Sequence, residues 1–193
     1  MEEEEIKSAF ELAMERISGL PEPTPEEKAE QKEREYTPIG TAIAMRYMDG
    51  ALVDTELPIQ LERYDGIPQQ IVRRALISSI CREINFENSR ETVKKAWNGL
   101  SQIAPEKRSV LEGVEKNFWE ICAEFEAAKE QRFREFGILV DDAIRKLGIS
   151  GSAIRSNPKE NEQWKQELSE VQKSYGPRLK NIIDMLTREL GSS

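Results

Sequence analysis

The stretch from Pro105 to Leu147 carries one unbroken helical pattern of apolar residues, and this pattern limits the fold more than any other feature. If each residue advances about 100° around the axis, the apolar side chains fall on one stripe centred on Phe118, and most carboxylates fall outside it. The stripe contains Leu111, Val114, Phe118, Ile121, Cys122, Phe125, Phe133, Phe136, Val140, Ala143 and Leu147. A helix this long needs other helices to cover its stripe.

Further helices are predicted along the rest of the chain. Pro68 begins the most apolar one, which runs through Ile80 to Ile84 and is predicted to be the centre of the core. Gly176-Pro177 is predicted to kink or split the C-terminal stretch, and a final amphipathic helix ends near Leu190. We predict an all-α fold, a multi-helix bundle. Over residues 39–53 a helix ending at Gly50 is favoured, and a β-hairpin that turns at Asp49-Gly50 is the alternative.

The N-terminal region has a different composition from the rest of the chain. Residues 1–35 hold 12 acidic and 5 basic residues, whereas the remainder is close to neutral. Residues 1–20 are predicted to form an amphipathic helical arm, residues 21–36 a proline-rich spacer and a polar helix that stops at Thr37-Pro38, and residues 37–193 a helical core domain. The apolar side of the arm consists of Ile6, Phe10, Met14 and Ile17.

The segment IKSAFELAMERISGL followed by TPEE, within residues 6–27, resembles the opening of an uncharacterised bacterial family of helical proteins of unknown function. The resemblance implies a bacterial cytoplasmic protein. It carries no activity, cofactor or site residue.

The composition argues against several chemistries. The chain has no histidine, so it lacks the commonest general base and the commonest nitrogen ligand for zinc or iron. Cys81 and Cys122 lie far apart and are predicted to be free thiols of a reduced cytoplasm. No apolar stretch approaches the roughly 18 residues that would indicate a membrane span. We therefore expect no metal, no cofactor, no catalytic residue and no membrane partner.

Residues 138–156 contain the segment AIRKLGISGSAIR, which resembles a helix-turn-helix. Pro158 follows closely and shortens the second helix, which carries one basic residue, Arg155. The net charge of the chain is -8, whereas phosphate binding favours a basic excess. Nucleic acid is not the expected partner, and a DNA-linked regulator is retained as an alternative function.

Two basic residues, Lys129 and Arg132, interrupt the apolar stripe of the long helix. Their aliphatic stems could be buried while the charged ends reach water, or they could form a charged notch that binds an anion or a partner. The leading hypothesis is a non-catalytic interaction or scaffold protein that forms a homodimer through the arm. An enzyme of unrecognised type is the remaining alternative.

Overall fold

The computed structural model describes residue 8, residues 24–146 and residues 161–191 of the chain. This part contains six α-helices, one short 3-10 helix and no strand. The helices are α1 (Pro25–Met48), α2 (Glu56–Leu61), α3 (Gly66–Arg82), α4 (Arg90–Ile103), α5 (Arg108–Lys146) and α6 (Glu162–Gly191), and the 3-10 helix is Pro105–Lys107. The prediction of an all-α multi-helix fold is confirmed, and over residues 39–48 the helix is correct rather than the hairpin.

Helix α1 begins at a capping box and is longer than the sequence predicted. The amide of Glu27 donates to Thr24 Oγ1 at 3.2 Å, and the Glu27 carboxylate accepts from the Thr24 amide at 2.7 Å. The predicted stop at Thr37-Pro38 is wrong, because α1 continues through Pro38. A proline inside a helix costs about 3 kcal/mol, and packing of α1 on α3 compensates for that cost. The predicted boundary between residues 36 and 37 therefore falls within one helix.

Helices α1 and α3 approach each other closely at Gly40. A Cβ atom built at Gly40 would lie 2.3 Å from the carbonyl oxygen of Val72, so only glycine fits there. Helix α3 is the centre of the core, as predicted, and Ile80 is 0% exposed. Seven residues of α3 are buried: Ile71, Val72, Ala75, Leu76, Ile77, Ile80 and Cys81.

Tyr47 connects α1 to α4 and to the segment between α1 and α2. Its ring is fully buried, and its hydroxyl lies 2.8 Å from Asp54 Oδ1 and 2.7 Å from the carbonyl oxygen of Lys95. Burial raises the pKa of Tyr47, and the hydrogen bond to Asp54 raises it further. The phenol therefore stays protonated, and its single O–H lies within hydrogen-bond distance of both acceptors.

Helices α5 and α6 form a long antiparallel hairpin. Lys107 Nζ donates to the carbonyl oxygen of Glu189, Glu124 pairs with Arg178, and Phe133 packs on Trp164, so contacts descend along α6 as they ascend along α5. Helix α6 passes through Pro177 without a break. The sequence predicts a kink or a split at Gly176-Pro177, and the split is wrong.

The two ends of this hairpin differ in what surrounds them. We call residues 108–121 and 182–190 the base, and residues 126–146 and 162–171 the distal hairpin. The main apolar core includes four residues of α5 and three of α6, all in the base: Leu111, Val114, Phe118, Ile121, Ile182, Leu186 and Leu190. Phe136, Trp164 and Val171 are buried outside that core.

The predicted orientation of α5 is confirmed as far as Phe136. Cys122, Phe133 and Val140 of the predicted stripe are half-buried, Ala143 is exposed, and Leu147 lies outside the described residues. Leu111, Val114, Phe118, Ile121, Phe125 and Phe136 of the stripe are buried. The carboxylates placed outside the stripe are exposed, namely Glu112, Glu120, Glu124, Glu130, Glu135, Asp141 and Asp142. The division of the chain into arm, spacer and core domain stays a prediction.

Candidate functional site: a groove on the distal hairpin

An open groove with an apolar floor runs between α5 and α6 on the distal hairpin. Phe133, Trp164 and Leu168 supply the floor, and the groove has a volume of about 700 Å³. The rings of Phe133 and Trp164 meet edge to face, with centroids 5.0 Å apart and planes at 76°. Trp164 is buried, whereas Phe133 and Leu168 are half-buried and present apolar surface to the groove.

Helical spacing explains how α6 supplies its part of this floor. Trp164, Leu168, Val171 and Tyr175 follow one another at intervals of four, three and four residues, which places them on one side of the helix. Trp164 also contacts Phe136, with ring centroids 6.0 Å apart. The sequence prediction included Phe133 but missed Trp164 and Leu168, although this spacing could have identified them.

Charged side chains form the rim of the groove. Lys129 Nζ lies 3.0 Å from Glu126 Oε2 and 6.0 Å from the centre of the Phe125 ring. Arg134 Nε donates to the carbonyl oxygen of Glu130 at 3.4 Å, a contact within its own helix. Because the Lys129–Glu126 pair is solvent-exposed, it contributes at most about 1 kcal/mol and can rearrange to meet a bound partner.

Lys129 and Arg132, the predicted charged notch, line different grooves. Lys129 lies at the aromatic groove just described. Arg132 lies in a second groove, of about 460 Å³, together with Glu135, Glu170 and Tyr175. Its guanidinium is 3.6 Å from Glu135 and 3.9 Å from Glu167. Both basic side chains therefore have carboxylate partners, and they are not brought together.

A smaller pocket of about 120 Å³ contains Cys122 and several aromatic rings, including Phe86, Phe118 and Trp119. Burial raises the pKa of the Cys122 thiol to about 11, with a further increase from Glu126 and a decrease from Arg90. Since the thiolate is the nucleophile, a thiol with this pKa reacts slowly near neutral pH.

The lining of the aromatic groove combines three apolar side chains with two carboxylates, one ammonium group and one guanidinium group. Over residues 24–146 and 161–191, no group of three or more Asp, Glu or Cys side chains could hold a metal ion.

Two sets of predicted residues lie outside the described part of the chain. These are the apolar side of the arm, Ile6, Phe10, Met14 and Ile17, and residues 147–156 of the helix-turn-helix segment. Among the described helices, none has the length and apolar character needed to cross a membrane. No family model matches the chain, and neither a curated protein nor a solved structure gives a significant match to it.

Proposed function

We propose that this protein is a non-catalytic, self-associating interaction protein that binds an amphipathic helix in the aromatic groove of its distal hairpin. The observation that carries the proposal is the apolar floor of Phe133, Trp164 and Leu168, bordered by exposed charged residues. An apolar centre with a polar rim is the usual anatomy of a protein interface.

A helix is the ligand that suits this groove best. Two antiparallel helices present a long, shallow furrow between them, and a third amphipathic helix can lay its apolar side along such a furrow. Two helices alone cannot surround their own apolar side chains, so Phe133 and Leu168 gain burial only from another element. The rim charges can then pair with polar residues that flank the apolar side of the bound helix.

The finer points of the proposal are a homodimer and a cytoplasmic location. Both described cysteines are free thiols, which supports a reducing compartment.

The test compares the full chain with Leu168→Glu, which places a charge on the floor of the groove. Ile138→Glu is the matched control, because Ile138 is 63% exposed on α5 and does not line the groove. Light scattering should give a dimer for the unchanged chain and for Ile138→Glu. Leu168→Glu should weaken association at least about 10-fold, with an unchanged helical circular dichroism signal. Equal masses for both variants would overturn the proposal.

A further inference from the structure

We infer that the helix bound in the groove is the N-terminal segment, residues 4–18, of a second copy of this chain. This inference rests on the proposed function and identifies its partner. It depends on the chemistry of the segment, on the charges of the rim, and on the distance between the start of α1 and the groove.

The chemistry of the segment suits the floor of the groove. Ile6, Phe10, Met14 and Ile17 recur at helical spacing, so a helix over residues 4–18 would have one apolar side. Phe10 and Met14 are one turn apart. Aromatic rings and thioethers pack well against the rings of Phe133 and Trp164.

Charge allows this pairing, because the rim carries two basic groups, Lys129 and Arg134, beside two carboxylates, Glu126 and Glu130. Residues 1–20 contain six glutamates and two basic residues. At the rim, the Arg134 side chain donates a hydrogen bond to a carbonyl oxygen of its own helix, and its guanidinium is exposed. A glutamate of a docked segment could form a charge-assisted hydrogen bond with Arg134, and Lys129 could exchange Glu126 for a second one.

The start of α1 lies at the opposite end of the molecule from the groove. Arg73 of α3 pairs with Glu106, beside the base of the hairpin, whereas Phe86, just after α3, stacks on Phe125. Helix α3 thus runs from the base towards the distal hairpin. Helix α1 runs the same way, because Tyr36 contacts Tyr64 before α3 begins, and Thr41 contacts Ser79 near its end. Thr24, at the start of α1, is therefore on the base side.

Distances along the chain then exclude the groove of the same molecule. Glu106 and Phe133 are 27 residues apart along an almost continuous helix, which corresponds to about 40 Å. Thr24 lies farther still from Phe133, on the far side of the base. Seven extended residues from Thr24 back to Ile17 span at most about 25 Å, and the helical rise from Ile17 to Phe10 adds about 10 Å. The total of about 35 Å does not bring Phe10 to its own groove.

A second copy in the opposite orientation removes this difficulty. Its distal hairpin then lies beside the base of the first copy, where the N-terminal segment of that copy begins. The same exchange occurs in both directions, so the assembly closes as a two-fold symmetric dimer. Each copy contributes the apolar segment that completes the groove of the other.

The experiment uses full-length variants of the segment and of the groove. Phe10→Glu combined with Met14→Glu places charges on the apolar side of the segment. Leu12→Glu, which falls on the opposite side of the predicted helix, is the matched control. Light scattering should give a monomer for the double variant and a dimer for Leu12→Glu. A labelled peptide of residues 1–20 should bind the double variant, and adding Leu168→Glu should weaken that binding at least about 10-fold.

The possible outcomes separate this inference from the proposed function. If Leu168→Glu is monomeric while the Phe10 and Met14 variant stays dimeric, the groove self-associates through another segment and the inference fails alone. If Leu168→Glu also keeps the mass of the unchanged chain, the proposed function fails. A monomeric unchanged chain whose melting temperature falls on Phe10→Glu would indicate docking within one molecule, which overturns the second copy as partner.

Discussion

The base and the distal part of the α5–α6 hairpin share the same two helices but have different surroundings. At the base, Phe118 and Leu186 are almost completely buried beneath α3 and α4. In the distal hairpin, Phe133 stays half-buried and Leu139 is 67% exposed, although both belong to the same helix as Phe118. The apolar content of α5 therefore exceeds what α6 alone can cover.

This difference shows how to distinguish an apolar stripe that folds the chain from one that binds a partner. Helical periodicity is the same in both halves of α5, so the pattern alone cannot separate them. The two halves differ in the number of neighbouring helices. Each neighbour buries apolar area, and this burial stabilises the fold by about 25 cal/mol per Å². The predictions below test whether the two regions differ in this way.

The largest loss of stability is expected in α3, which packs against the base. Ile80→Asp places a charge at a fully buried position and should cost more than about 4 kcal/mol, enough to unfold or aggregate the protein. Glu130→Lys, an exposed change in the distal hairpin, should alter the free energy of unfolding by less than about 0.5 kcal/mol. Thermal melts that show similar losses for both would contradict the assigned burial.

Replacing either of two glycines by alanine should change the free energy of unfolding by an intermediate amount, with opposite signs at the two positions. Gly40→Ala should destabilise the fold by about 1–3 kcal/mol, because the new methyl group meets the backbone of Val72. Gly137→Ala, in the distal hairpin, meets nothing within 4 Å and should stabilise α5 by about 0.5–1 kcal/mol. Urea denaturation measures both changes. A stabilising Gly40→Ala would mean that α1 and α3 are less closely packed.

A labelling experiment on the two thiols compares the buried core, at Cys81, with its half-buried edge, at Cys122. Burial raises the pKa of Cys81 to about 12 and that of Cys122 to about 11. Alkylation of the folded protein at pH 8, followed by mass spectrometry, should therefore label Cys122 first and Cys81 only after unfolding. Equal labelling rates would contradict the deeper burial of Cys81.

The same pKa shifts give the sign of a pH effect on stability. Both thiols bind their protons more tightly in the folded state, so their stabilising contribution is complete below the unfolded pKa of about 8.5. It is lost progressively as the pH rises towards about 11 to 12. Cys81→Ser and Cys122→Ser melts at pH 8 and pH 10 would show which thiol carries this dependence.

The smallest effect is expected at the ion pair between Glu124 and Arg178, where the base meets the distal hairpin. The hydrogen bond from Arg178 lowers the pKa of Glu124, so any stability from the pair is present above the unfolded pKa and is lost at lower pH. Both groups are exposed and screened by solvent. Glu124→Gln should leave the melting temperature at pH 7 within experimental error, and a clear decrease would show that this pair holds the two regions together.

The sequence predicted what depends on local periodicity and missed what depends on tertiary partners. The stripe of α5 and the buried side of α3 could be predicted because each depends only on the spacing of apolar residues within one helix. The sequence predicts a helix end at Pro38 and a kink or split at Pro177, because proline disfavours the interior of a helix. Both helices nevertheless continue through their proline, since packing on other helices overrides that preference. The spacing of Trp164, Leu168 and Val171 identifies an apolar side of α6, but no local pattern says that this side lies opposite Phe133.

The length of α5, an unbroken helix of 39 residues, makes the aromatic groove sensitive to rotation. Inserting one residue between the base and Phe133 would advance that side chain by only about 1.5 Å but turn it about 100° away from Trp164. Seven inserted residues would move it about 10 Å with almost no net rotation. A longer or shorter hairpin should therefore keep the aromatic groove only if its length changes by about two helical turns, or seven residues, in both α5 and α6.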